Sequence, residues 1–302
     1  MKLHQLKYFI EVVLSGSINE AARRLYISQP TLSKAIKELE KDLGIVLFTR
    51  TSTGISLSPD GAEFLSYARQ INEQVELLER RYFDTEPSQQ LFSVSSQHYS
   101  FVVDAFVEMI RKYGGDKYQF TIRETRTYEI IDDVKNLTSE IGVLYISAFN
   151  EKVLVQLIKE KGLEFTQLFE AHPHIFISKT NPLATRKSVT LDDLEPYPRL
   201  AFEQGEYNSF YYSEEVFSTI PRPKSIQVSD RATLFNLLIG LNGYTISTGI
   251  LSEDLDSSEI VQVPLEVEDT IKVGWVVNKK VELSRMARLY LEELSATTQH
   301  ML

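Results

Sequence analysis

Within the thirteen residues QPTLSKAIKELEK (29–41) fall three lysines, a glutamine, a serine and a threonine. At about 100° per residue, Leu32, Ala35, Ile36, Leu39 and Leu43 gather on one side of a helix. Pro30, Lys34, Lys37 and Lys41 gather on the other side, with Gln29 and Ser33 toward one edge and Thr31 toward the opposite edge. An outward ridge of cations and amides suits a polyanion with hydrogen-bonding edges. Glutamine pairs bidentately with adenine, and lysine reaches guanine or phosphate. A lone lysine would mean only a solvated face; the pattern carries more.

Catalytic chemistry has less support. The chain has no cysteine, and its five histidines stand at 4, 98, 172, 174 and 300. His172 and His174 flank Pro173, but no carboxylate or third ligand stands at a metal-motif spacing. No nucleophile–base pairing is legible either. The expectation is a non-enzyme without metal or cofactor.

Helical patterns must hold the ridge in place. Leu3, Leu6, Phe9, Ile10 and Val13 recur at helical spacing up to Ser15-Gly16. Ser17 and Glu20 form a capping-box pattern opening a second helix. Ser28 is placed to cap the third, with Pro30 tolerated in its first turn. A short turn between the second and third makes a helix-turn-helix, its third helix in recognition position. In IVLFTRTSTGISLSPDG (45–61), Ile55 and Leu57 alternate after a Ser-Thr-Gly turn, as in a two-stranded wing. Arg50, Thr51 and Thr53 would sit on its phosphate-facing rim, and Arg23 near the end of the second helix. Residues 1–60 hold eight Lys/Arg against six Asp/Glu, a balance of +2 in a chain of net charge −10, so the remainder carries −12. A basic head on an acidic body is compatible with DNA binding by the head alone.

These blocks resemble the LysR-type transcriptional regulators. The resemblance rests on Leu6-Lys7-Tyr8-Phe9, Ser17-Ile18-Asn19-Glu20-Ala21-Ala22, Ser28-Gln29-Pro30-Thr31-Leu32-Ser33, Leu39-Glu40-Lys41-Asp42-Leu43-Gly44, Leu47-Phe48-Thr49-Arg50 and Leu57-Ser58-Pro59-Asp60-Gly61. It implies that Gln29, Pro30 and Ser33 approach base edges and that Arg50 lies by the backbone. Pro59-Asp60 departs from the commoner threonine or glutamate and alanine, at a helix start that suits both.

From 61 to 82 the seam Phe64, Ala68, Ile71, Val75, Leu78, Tyr82 steps by four and three, a heptad period. Glu86-Pro87-Ser88 ends it. In the family such a linker helix dimerises, which would present two recognition helices to a pseudo-palindromic site. Beyond it, strand-like and helix-like runs alternate, implying a parallel sheet with helices on both faces. Two lobes joined twice, like a periplasmic binding protein, are what the family adds to that α/β reading.

Ligands of such sheets bind beyond the carboxyl ends of strands. The run 91–94 leads into Ser95-Ser96-Gln97-His98 before a helix, a polar cluster suited to an anion. Arg126-Thr127, Gln204 and Ser229-Asp230 are further strand-end positions. The expected effector contacts are therefore Ser95, Ser96, Gln97, His98, Thr127, Gln204 and Ser229. Ser95-Ser96 is also similar to the Thr-Thr loop of some sulfur-metabolism regulators of the family. Asn242 in Leu241-Asn242-Gly243-Tyr244 tolerates a left-handed turn. The aromatic run YNSFYY (207–212) reads as pocket wall, inter-subunit contact or packed surface.

The expected architecture is α/β and multi-domain: a winged helix-turn-helix (1–58), a linker helix (59–87) and a two-lobed effector domain (88–302). Its first lobe would take 88–162 and 267–302, its second 163–266. The expected partners are double-stranded DNA, a small anionic effector, further copies of the chain as dimer or tetramer, and RNA polymerase. No run approaches membrane-spanning length. The N-terminus enters a helical pattern rather than an export signal, which weighs against a free solute-binding protein and for the cytoplasm.

Overall fold

The computed structural model describes residues 1–51, 54–83, 90–252 and 259–301. The chain divides into two compact units, Met1–Ser88 and Gln89–Leu302.

The first unit begins with α1 (Leu3–Ser15), α2 (Ile18–Arg24) and α3 (Gln29–Leu43), followed by β1 (Phe48–Thr51), β2 (Gly54–Leu57) and α4 (Pro59–Phe83). Leu6, Phe9 and Val12 of α1, Ala21 and Ala22 of α2, and Leu32, Ile36 and Leu39 of α3 interlock as one apolar core with Leu47 and Ala68. The apolar side of α3 thus faces inward, as its periodicity requires. Ser28 Oγ accepts from the Thr31 backbone N–H at 3.3 Å, and Pro30 occupies the first turn. Gly44 ends α3 in the left-handed region at φ 72°, a conformation glycine adopts without a Cβ penalty.

The capping box expected at Ser17 does not form. Ser17 makes no side-chain cap bond, and Glu20 turns to Arg23 and Arg24. At the start of α4, Ser58 Oγ donates to the Val46 carbonyl and accepts from Gly61 N at 2.8 Å. Any Cβ on Gly61 would lie 2.1 Å from the Leu47 carbonyl oxygen, so the Leu-Ser-Pro-Asp-Gly block is a steric requirement of the wing–helix corner. β1 and β2 pair antiparallel, Phe48 opposite Leu57.

The heptad seam divides. Phe64 and Ala68 pack into the core just described, while Ile71 and Leu78 are exposed. The Tyr82 side chain and residues 84–87 lie outside the described residues.

The second unit runs β3 (Gln90–Ser96), α5 (Ser100–Tyr113), β4 (Tyr118–Glu124), α6 (Thr127–Lys135), β5 (Ile141–Ile146), α7 (Glu151–Glu160) and β6 (Leu163–Ala171). It continues with β7 (His174–Ser178), β8 (Arg199–Phe202), β9 (Ser225–Val228), α8 (Arg231–Leu241), β10 (Tyr244–Ser247), β11 (Ile260–Pro264), β12 (Ile271–Asn278) and α9 (Arg285–Met301). One five-stranded sheet has the order β4-β3-β5-β12-β6 and the other β11-β7-β10-β8-β9. The chain therefore crosses between lobes twice, after Ala171 and before Ile271.

Two expectations need correction. The sheets are mixed rather than parallel: β3 runs parallel to β4 and β5, but β12 is antiparallel to β5 and β6. The first lobe also extends past 162, because β6 is hydrogen-bonded to β12 along its length. The second lobe's sheet starts at His174 rather than the lobe starting at 163. The isolated run 163–171 gave no sign of which sheet it would join. Asn242 takes the left-handed conformation at φ 50° and ends α8, as its residue type suggested.

Candidate functional sites

Gln29, Pro30, Thr31, Lys34 and Lys37 are exposed along α3, and Ser33 is half-buried. Gln29 Nε2 donates to Ser33 Oγ at 2.8 Å, holding the amide along the ridge. Lys34 faces Glu38 only loosely, at 3.9 Å, an exposed pair that contributes little. Thr31 Oγ1 lies 2.7 Å from Ser28 Oγ, so its hydroxyl belongs to the cap. Arg23 is exposed but holds Glu20 through two bonds of 3.0 and 2.8 Å; a phosphate would have to displace that carboxylate. Arg50 and Thr51 belong to β1, but their side chains, and Thr53 altogether, lie outside the described residues. Tyr26 was missed by sequence reading. It forms the turn between α2 and α3 with φ 52° and is 95% exposed, an unusual conformation for a bulky residue. An apolar ring shown to solvent beside the recognition helix is the signal that no spacing rule detects.

In the second unit, a cavity of about 480 Å³, counting the part open to solvent, lies between the β3–α5 turn and the second sheet. His98, Tyr99 and Ser100 of the first lobe line it; so do Phe176, Phe202, Glu214, Glu215, Arg231, Leu234 and Ile246 of the second. The His98 ring stacks on Phe202 at 3.8 Å, and its Nδ1 lies 2.9 Å from Glu214 Oε2. The His98 backbone N–H donates to the same oxygen at 3.0 Å. Burial opposes protonation of the ring, yet the charge and hydrogen bond of Glu214 outweigh it and raise His98 above the ordinary histidine value. Glu215 accepts from Phe202 N at 2.9 Å. Burial, and then the charge of Glu214, push its carboxyl up to about 8. Glu214, Glu215 and Arg231 were not foreseen; no strand-end rule points to a paired glutamate in an irregular segment.

The expected effector residues mostly serve the protein itself. Ser95 is fully buried, its hydroxyl held by Asp133 at 2.7 Å and Ser139 at 2.8 Å. Gln97, also buried, donates to Thr127 Oγ1 at 2.6 Å and accepts from Tyr145 N at 2.9 Å. Thr127 N donates to Gln204 Oε1 at 3.2 Å, and Gln204 reaches Glu214. Ser229 is exposed and does not line the cavity. Ser96 is fully buried, and its hydroxyl has no hydrogen-bond partner among the described residues. Of the seven, only His98 lines the cavity. Ser95 and Gln97 bond within the first lobe, while Thr127–Gln204 and His98–Glu214 cross between the lobes.

Other ties between the lobes are direct. Arg126 Nε donates to Glu203 at 2.9 Å, and Arg231 pairs with Glu124 at 3.2 Å. From the YNSFYY run, Tyr207 stacks on Tyr128 at 3.6 Å and Tyr211 on Phe149 at 4.9 Å. Tyr145 donates its hydroxyl to the Ser213 carbonyl at 2.9 Å. That run is thus a strap laid by the second lobe across the first.

A winged helix-turn-helix with a solvent-facing cationic ridge, joined to a two-lobed domain with a cavity at the lobe boundary, defines a ligand-responsive DNA-binding protein. Residues 3–62 match the family described as bacterial regulatory helix-turn-helix protein, lysR family, and residues 90–299 match the LysR substrate binding domain. The chain belongs to the LysR family and is a DNA-binding transcriptional regulator with an effector-binding domain. Among curated relatives, it is 27% identical to the HTH-type transcriptional regulator AlsR of Bacillus subtilis over 83% of this chain and 78% of AlsR. Its fold is similar to an OxyR C206 mutant of Corynebacterium glutamicum, at TM-score 0.56 and 16% identity, covering 99% of this chain and 92% of that one. It is likewise similar to full-length CbnR in a complex with its target DNA, at TM-score 0.54 and 19% identity, covering 98% and 100%.

Proposed function

We propose that this regulator reads a pseudo-palindromic promoter site through α3 of two paired chains, and that a small molecule in the lobe-boundary cavity sets the strength or geometry of that grip. The ridge Gln29–Lys37 carries the reading, since Gln29, Pro30, Thr31, Lys34 and Lys37 are exposed among the described residues. The exposed apolar side chains Ile71 and Leu78 on α4 support pairing of two copies along the heptad seam. That another protein of this fold, CbnR, binds its target DNA supports the binding of a duplex by this chain. Gln29 is the base reader, Lys34 and Lys37 the phosphate-side cations, and Arg50 the wing contact. An effector acts by its different affinity for two arrangements of the lobes, and DNA bending is the expected consequence.

RNA polymerase is the further partner we propose, and the cytoplasm the compartment. Among the described residues no helix is long and apolar enough to cross a membrane. We propose no catalytic activity and no cofactor beyond the effector. The function is tested by binding of the full chain to the duplex upstream of its own coding sequence, with and without candidate effectors. Specific retention, competed by that duplex and not by an unrelated one, is the expected result.

A further inference from the structure

Resting on the reading of the lobe-boundary cavity as the effector site, we propose that the effector is a small amine-bearing acid of the amino-acid type, not a simple anion. Its ammonium group is taken by Glu215 and Glu214, its carboxylate by Arg231, and its apolar part by Phe176, Phe202 and Leu234.

The cavity wall carries two adjacent carboxyl groups, and both side chains are almost entirely buried. Glu214 is matched by His98, with which it makes a salt bridge across the lobe boundary. Glu215 has no ion pair among the described residues; its neighbours are the Phe202 N–H, Glu214 and, at longer range, Arg199. A buried carboxyl beside another carboxylate ionises readily only when a positive charge is brought to it. A ligand ammonium supplies that charge, whereas a ligand that is only an anion meets Glu214 head-on. Arg231, which pairs with Glu124 at 3.2 Å, also lines the cavity and is a planar donor with a geometry that matches a carboxylate. It lies at the start of α8, where backbone N–H groups also favour negative charge. Apart from His98, Ser100, Thr245 and Ser247, the remaining wall is aromatic and aliphatic and takes the apolar part of the ligand.

The test is a thermal-shift and calorimetric panel on the full chain. It compares each of the twenty common amino acids with the matching acid lacking the amine and the matching amine lacking the carboxylate. The expected result is that at least one amino acid raises the melting temperature, that its des-amino acid binds at least tenfold more weakly, and that Glu215→Gln weakens binding at least tenfold. Saturation by des-amino acids or inorganic anions, with amino acids inert, would overturn the proposal while leaving the cavity as effector site. No stabilisation by any amine-bearing probe would also overturn it. If an amino acid binds equally to wild type, Glu215→Gln and Phe202→Ala, the cavity itself is not the site, and the underlying reading fails with the proposal. Retention of operator binding by each variant shows that the chain is folded.

Discussion

Glu215 sits in an environment far from that of an exposed glutamate, almost entirely buried beside a second carboxyl group. Its carboxyl titrates near 8 in the folded chain against 4.5 for the free group. Folded protein therefore holds a proton that unfolded protein has lost, and stability falls as pH rises from about 4.5 through about 8. The penalty reaches the order of 5 kcal/mol at the alkaline end. His98 adds to the same trend, because a raised histidine contributes stability below its ordinary value that is lost as pH climbs through the folded one. Glu215→Gln should flatten the decline in melting temperature between pH 5 and 9, whereas an unchanged profile would mean that the carboxyl is not held protonated. At the reading face, Lys34→Ala should weaken DNA binding on every sequence and reduce the salt slope by about 1. Gln29→Ala should mainly relax preference at one base pair, at about 1–3 kcal/mol of discrimination.

The elements explain what could be foreseen. The position of α3 follows from a cap, a proline in the first turn and an apolar stripe, all local, and its exposed ridge is the geometric complement of that stripe. Removing the cap with Ser28→Ala should cost about 1 kcal/mol, read from the denaturation midpoint of the first unit. Gly61→Ala should cost about 3 kcal/mol or more, since its Cβ meets backbone rather than a side chain that can turn aside. What was not legible depends on partners remote in sequence. β6 is an ordinary strand until β12, about a hundred residues later, decides its sheet. That Ser95 bonds Asp133 and Thr127 bonds Gln97 likewise depends on residues some thirty or more positions away. Glu20 is a capping residue on paper and an ion-pair partner in space, because two arginines follow within one turn.

At the scale of the whole molecule, the lobes of the second unit are held by Arg126–Glu203, His98–Glu214, Arg231–Glu124 and the tyrosine strap. Buried apolar residues of both lobes, among them Phe101 and Phe169 of the first and Ile175 and Leu194 of the second, also belong to one cluster, and an effector shifts the lobes only by its different affinity for their arrangements. Tyr207→Ala should loosen the strap and raise the radius of gyration of the ligand-free chain in small-angle scattering; an unchanged radius would mean that the lobes do not depend on it. A saturating effector should restore compactness and stabilise the chain, by about 2.7 kcal/mol at a hundredfold excess over Kd.

Regulation by this chain turns on the α3 ridge meeting a double helix. The most direct measurement is the salt dependence of binding to the duplex upstream of the coding sequence, for the full chain and for its Gln29→Ala/Lys34→Ala variant. Specific binding that weakens steeply with salt is expected, with a variant that folds normally yet loses both the specificity and part of the slope. A variant that binds the same duplex with the same selectivity and slope would show that the chain grips DNA elsewhere.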